Sequence, residues 1–294
     1  EQLATTLTEL NLDGNQIEKI DEKAFETCSN LKNLSLVNNK LTRIDGNIFI
    51  PLSQLTILNF AFNQIETIDV ETFKACSNLT ELSLSNNQLT RIDGNAFKQL
   101  TKIGNLSLHS NHIETIDEKL FENCSNLTML WLSNNKLKRI DTNTFKRLTK
   151  LTILSLSGNE LDSIDAELFE SCINLKELDL GCNKLTKIDG NTLNQLIKLT
   201  SFSLYYNQIE AIDAKLFHAC SNLTFLNFES NKLKIIDGNT FKKLTQLTTL
   251  LLDINQIETV DETAFESCAH LKELHLNNNK LTSIGGNTFK QLTL

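Results

Sequence analysis

The 294 residues carry a formal net charge of −8, with 40% hydrophobic and 22% charged side chains. Such a chain can bury a core, which excludes disorder, and an acidic balance without any Lys/Arg cluster excludes nucleic acid as the main partner. No apolar run approaches the roughly 18 to 20 residues that a membrane span needs.

The length is 12 × 24 + 6, and the elements recur at that period. In chain order the first is a short strand from Glu9 to Asp13, where Leu10 and Leu12 alternate with polar residues. Period two marks a strand with one buried face. Asn15 follows, then Ile17 and Ile20, then a turn segment carrying Phe25 and Cys28. The second coil repeats the series with Leu34, Leu36, Asn39 and Phe49, and the twelfth closes it with Leu274, Leu276, Asn279 and Phe289. Across all twelve coils Asn stands at 15, 39, 63, 87, 111, 135, 159, 183, 207, 231, 255 and 279, without insertion or deletion. These are Asn15, Asn39, Asn63, Asn87, Asn111, Asn135, Asn159, Asn183, Asn207, Asn231, Asn255 and Asn279. An amide can donate and accept at once, so this column is expected to act as a structural ladder for buried backbone groups. Leu193 alone replaces the Phe of the turn segment.

The pattern around each Asn, L-x-x-L-x-L-x-x-N-x-[IL]-x-x-[IV]-x-x-x-x-F, resembles the leucine-rich repeat family in its 24-residue form, common in extracellular animal proteins. The resemblance covers the whole chain. It implies an α/β-type solenoid: a right-handed horseshoe of twelve coils forming one domain, residues 1–294, with a parallel β-sheet on the concave side. Turns or 3-10 segments are expected on the convex side. Strands about 4.8 Å apart would give an arc of roughly 55 to 60 Å. A secreted, extracellular location is likewise implied by the resemblance. The family's Cys-rich caps have no counterpart at either end, where Glu1 to Thr6 read as a partial coil and Leu294 follows a last turn.

A second period of 48 residues lies over the first. Cys28, Cys76, Cys124, Cys172, Cys220 and Cys268 fill, in odd coils, a position that Leu holds in even ones. Successive Cys lie about 10 Å apart, beyond the ~4.4 to 6.8 Å that a disulfide spans, so they are expected to be buried free thiols. Cys182, next to Asn183, is expected at the rim of the concave face with an exposed thiol. The residue after Phe alternates loosely between Glu and Lys, as in Glu122 and Lys146, which reads as coil-to-coil pairing or a solvated face.

Asp recurs in eleven coils, from Asp21 to Asp261, and lapses at Gly285. Each stands before the turn segment, so it caps backbone N–H groups or, alternatively, joins a column of calcium ligands. His109 and His112 have no zinc-type companions and read as surface residues. No nucleophile–base motif, P-loop or dinucleotide fingerprint occurs, so neither enzyme activity, a cofactor nor a metal is expected. Six sequons, such as Asn78 and Asn222, are about what this Asn, Ser and Thr content yields by chance.

Function is therefore expected on the concave face. The residue after the second strand Leu shows nine kinds in twelve coils, against five at the position after Phe. Coils six to eleven bring Met129, Trp131, Ile153, Tyr205, Tyr206, Phe225, Leu251 and Ile254 to that face, with Phe62 as an outlier in coil three. Aromatics and Met are enriched at interface cores. A rim of Glu177, Asp179, Glu229 and Asp253 would steer a basic or polar partner. The expected role is a non-catalytic scaffold that recognises a protein or peptide. The alternative is head-to-tail self-assembly into filaments through the uncapped ends.

Overall fold

The computed structural model describes residues 6–292, and the chain falls into two compact units, Glu1–Leu151 and Thr152–Leu294. Residues 1–5 of the partial coil read over Glu1 to Thr6, and the final Leu294, lie outside the described residues.

In the first unit the coils contribute β1 (Glu9–Asn11), β2 (Asn33–Ser35), β3 (Ile57–Asn59), β5 (Glu81–Ser83), β7 (Asn105–Ser107) and β8 (Met129–Trp131) to one parallel sheet. Between them, β4 (Thr67–Ile68) and β6 (Arg91–Ile92) pair on the descending side of their coils. The second unit repeats the plan. Its sheet contains β9 (Ile153–Ser155), β10 (Glu177–Asp179), β11 (Ser201–Ser203), β12 (Phe225–Asn227), β14 (Thr249–Leu251) and β16 (Glu273–His275). There β13 (Ile235–Ile236) pairs with β15 (Thr259–Val260). Every register equals the repeat: Leu10 lies beside Leu34, and Phe202 beside Leu226. Strands this short, open to one face, obtain their stability from stacking on the next coil.

The Asn column is the main internal fastening. Asn207 Nδ2 donates to Leu180 O and Leu204 O at 3.0 Å and to Tyr205 O at 3.3 Å, while its Oδ1 accepts from Leu185 N at 3.0 Å. Asn135 does the same in the first unit with Leu108, Leu132, Ser133 and Ile113. One amide thereby satisfies carbonyls of two coils and a buried N–H of a third segment, in the way its mixed chemistry allows. Outside it, the Phe rings stack at 6.0 to 6.4 Å from Phe49 through Phe73, Phe97 and Phe121 to Phe145. In the second unit Phe217, Phe241, Phe265 and Phe289 stack at 6.1 to 6.2 Å.

The turn side corrects the expected α/β-type horseshoe. Among the described residues there is no α-helix, and the fold is a β-solenoid whose outer side consists of turns and one 3-10 segment, Gly46–Phe49. The reason lies in the spacing of the apolar residues. Phe25, Cys28 and Leu31 are buried at intervals of three, and the backbone follows with bonds from Cys28 N to Phe25 O and from Leu31 N to Cys28 O, both 2.9 Å. That is the 3-10 and turn period, not the 3.6 of an α-helix, and so short a segment cannot offset the cost of a helix nucleus.

The Asp column caps these turns. Oδ1 of Asp21 accepts from Lys23 N at 3.0 Å, and Asp93, Asp141, Asp189 and Asp261 accept at 2.8 Å from the residue two positions on. The carboxylates thus each have their own donor within the coil. The six Cys that alternate with Leu are buried and free, and Cys182 is exposed. Burial pushes Cys76, Cys124, Cys172 and Cys220 up to about 12 and Cys268 to about 11. Neighbouring coils are tied at the surface by Lys-to-amide bonds, as from Lys102 Nζ to Asn78 Oδ1 at 2.7 Å and from Lys198 Nζ to Asn174 Oδ1 at 2.6 Å.

Candidate interaction surface

Each coil presents four outward positions: two on the strand and two in the bend that follows, as Ser201, Ser203, Tyr205 and Tyr206 do in the ninth. Two of the four have a structural job. At the second position an Asn or Asp side chain caps the bend in four coils: Asn11 Oδ1 accepts from Asp13 N and Asn227 Oδ1 from Glu229 N at 2.8 Å, and Asn59 and Asp179 do the same with Ala61 N and Gly181 N at 3.0 Å. Asn and Asp suit that local bond; Ser stands at this position in five other coils, and Trp131, Leu251 and His275 in the remaining three.

At the fourth position, directly before the ladder Asn, the backbone is left-handed in all twelve coils, with φ between 51° and 68°. Gly14, Asn38, Asn86, Asn134, Gly158 and Asn278 match this requirement. Phe62, Cys182, Tyr206 and Ile254 do not, since an L side chain there costs about 1–2 kcal/mol and a β-branched or bulky one is an outlier. Packing does not explain them: Phe62 is 55%, Tyr206 56% and Ile254 43% exposed.

The sequence-derived candidates divide between the two units. Met129 and Trp131 lie on β8 of the first, half-buried. In the second, Ile153 lies on β9, Glu177 on β10, Phe225 on β12 and Leu251 on β14, with Tyr205, Tyr206, Glu229 and Asp253 in the adjoining bends. Asp253 is nearly buried, at 9%. Asp179 has a structural part as well as an outward one, since its Oδ1 accepts from Gly181 N at 3.0 Å.

One residue escaped the sequence reading. A Cβ on Gly181 would stand 2.1, 2.4 and 2.5 Å from Cε1, Cδ1 and Cζ of Tyr205. Three ring atoms at such similar distances mean that Gly181 faces the flat of the ring, not its edge. Tyr205 therefore lies down across coil eight, where its hydroxyl comes near the Cys182 thiol and Ser157. Tyr206 stands against it at 85°, ring centroids 6.1 Å apart. Burial first, then the Asp179 carboxylate, raises the Tyr205 hydroxyl above its ordinary value. Burial, opposed by the nearby Tyr205 hydroxyl, also raises the Cys182 thiol, to which the Asp179 and Glu229 carboxylates add. The available signal for Gly181 was its being the only Gly in the most varied column, one coil before the only Tyr in it.

Among the described residues no group of His, Cys, Asp and Glu is arranged to hold a metal, and no helix is long and apolar enough to cross a membrane. A comparison with curated protein sequences gave no match. Solved structures do resemble the chain. A leucine-rich repeat protein of Leptospira interrogans matches at 26% identity and a TM-score of 0.88, over 99% of this chain and 71% of that one. The functional domain of InlJ from Listeria monocytogenes, which includes a cysteine ladder, matches at 26% identity and 0.75, over 97% of this chain and 57% of that one. The Drosophila Toll–Spatzle complex shares the fold, at 24% identity and 0.73, over 94% of this chain and 40% of that one. The chain thus spans less than two thirds of the latter two. The family profile of the BspA type leucine rich repeat region (6 copies) matches residues 3–128, 72–200 and 186–294, so the chain belongs to the BspA-type leucine-rich repeat family, a class of non-catalytic repeat scaffolds.

Proposed function

We propose that the protein is a binding scaffold that recognises a polypeptide on the open face of the sheet in its second unit, around Tyr205, Tyr206, Phe225, Leu251 and Ile254. The observation that carries this reading is the left-handed column. Tyr206 and Ile254 occupy a conformation that opposes their side chains, φ 51° and 53°, and hold those side chains in solvent. Residues that raise the energy of the fold and bury little in return are the ones whose use is intermolecular. Leu251 adds a large apolar side chain at another outward position, where Asn or Asp caps the bend in four other coils.

Aromatic and branched apolar side chains at the centre, with Glu177, Glu229 and Asp253 around them, match the composition of a protein-interface core with a polar rim. Trp131 and Met129 on β8 offer the first unit a smaller surface of the same chemistry. We further propose an extracellular location, as for several of the similar leucine-rich repeat proteins.

The test selects peptides from a random displayed library on the wild-type chain and re-measures them on Tyr206→Asn/Ile254→Asn. Affinity should fall at least tenfold, by the usual cost of ≥2 kcal/mol for truncating central interface residues. Selected peptides that bind the double variant as tightly as wild type would overturn the assignment.

A further inference from the structure

We propose that the corner formed by Tyr205 and Tyr206 receives an arginine side chain of the bound polypeptide. This rests on the reading of the second unit's open face as the binding surface, and it names the chemistry of the contact.

The floor of the corner is the outward face of the Tyr205 ring, whose other face lies on Gly181. Its wall is Tyr206, at 85° and 56% exposed. The face of an aromatic ring carries the negative part of its quadrupole, so a flat ring fixed with one face outward attracts a cation. Formal charge points the same way. The outward positions of coils eight to eleven are Glu177, Asp179, Gly181 and Cys182, then Ser201, Ser203, Tyr205 and Tyr206, then Phe225, Asn227, Glu229 and Ser230, then Thr249, Leu251, Asp253 and Ile254. They include four carboxylates and no Lys or Arg. Asp179 and Glu229 come from the coils on either side of Tyr205, and both are half-buried. Glu229 makes no ion pair among the described residues, and one oxygen of Asp179 remains after its bond to Gly181 N.

Arginine fits this arrangement better than lysine. A guanidinium is planar, sheds its hydration more readily, stacks on an aromatic face and directs N–H donors sideways in its own plane. Lying on Tyr205, it would meet the Glu229 carboxylate on one side and the Asp179 carboxylate on the other. The ammonium of lysine offers a point charge with no plane to match the floor.

The chain contains two Tyr, and both are in the corner. Ring-¹³C-labelled tyrosine therefore gives an NMR spectrum that reports on this site alone. The probes are the blocked pentapeptide Gly-Gly-Arg-Gly-Gly and its citrulline, Lys and Leu counterparts, each titrated to about 10 mM, the range of single-side-chain affinities. The Arg peptide should shift both ring signals saturably. The neutral citrulline peptide should bind at least tenfold more weakly and the Lys peptide a few-fold more weakly. Glu229→Gln should weaken the Arg peptide several-fold at low salt. Gly181→Ala, which drives a Cβ into the ring face, should abolish the response while a thermal melt shows the chain still folded.

Equal shifts with citrulline, or with Lys, would overturn the guanidinium assignment. So would a response to the Leu peptide alone, but that outcome leaves the face as a binding surface. Silence from every probe overturns the arginine site. Whether the wider reading falls with it is decided by the library selection, which does not depend on charge.

Discussion

Both units build the same bend before the ladder Asn, and they fill it differently. In the first unit the left-handed column reads Gly14, Asn38, Phe62, Asn86, Ser110 and Asn134; in the second it reads Gly158, Cys182, Tyr206, Ser230, Ile254 and Asn278. The backbone angles are the same within a few degrees at the non-Gly positions, from 51° to 56°. Four of six residues in the first unit suit that angle by their own chemistry, and two of six in the second. Identical geometry with unequal residue fitness separates two demands on one repeat. The frame asks for Gly or Asn, and something other than the frame asks for Tyr and Ile.

The comparison requires that the frame itself be equivalent in the two units, and alkaline pH tests this with the largest effect. An exposed thiol has a pKa of 9.0, whereas Cys124 in the first unit and Cys172 in the second are pushed up to about 12 by burial. Above pH 9 the unfolded chain releases protons that the folded chain keeps. The stability due to these thiols is therefore complete below pH 9 and is lost as pH rises toward 12, at about 1.4 kcal/mol per pH unit for each. With five such thiols the urea midpoint should drop steeply between pH 9 and 10, a loss of several kcal/mol. Cys124→Ala and Cys172→Ala should each remove an equal share of the slope. A share lost in only one unit would mean that the frames differ and that the contrast in the left-handed column has a structural origin.

Next in size is the ladder. Asn135→Ala and Asn207→Ala each leave one buried N–H, of Ile113 or of Leu185, without its acceptor, while the carbonyls lose one donor and keep another, as Leu180 O keeps Asn183, Leu204 O keeps Asn231 and Tyr205 O keeps Cys182 N. An unsatisfied buried N–H costs about 1–3 kcal/mol and the lost second bonds to the carbonyls add to it, so each variant should lose roughly 3 kcal/mol in denaturant melts. Equal losses sharpen the comparison, because the ladder then bears the same load beneath Asn134 and beneath Tyr206. A difference above about 1 kcal/mol would break it.

How far this was legible in the sequence follows from what each residue answers to. The strands, the Asn ladder, the Phe stack, the Asp caps and the buried Cys each repeat twelve, eleven or six times, and repetition averages out local accident. The α/β class was misjudged because resemblance supplied it. The interval of three between Phe25, Cys28 and Leu31 already implied turns. Asp179 read as a free rim charge, although Asn11, Asn59 and Asn227 stand at the same position of their coils and make the same bond to the N–H two residues on. The seat of Tyr205 on Gly181 occurs once, between coils, and a pairing that occurs once cannot be recognised from a repeat. What was within reach was the left-handed column: Gly or Asn in six of twelve coils directly before an invariant Asn is the composition of a positive-φ site.

The smallest effect expected is the one that separates frame from function most cleanly, because it has two signs. Tyr206→Asn and Ile254→Asn replace residues that resist φ near 52° with one that accepts it, and both side chains are exposed, Tyr206 at 56% and Ile254 at 43%. Each should stabilise the second unit by about 1 kcal/mol in urea melts while weakening peptide binding. Asn134→Ile makes the opposite exchange in the first unit and should lose a similar amount. A residue kept for packing cannot be replaced with a gain in stability, so a loss on Tyr206→Asn would mean that its ring, set against Tyr205, belongs to the frame after all. A gain accompanied by lost binding leaves the ring no structural reason to stand where it does, and the difference between the two left-handed columns is then a difference in what each face is for.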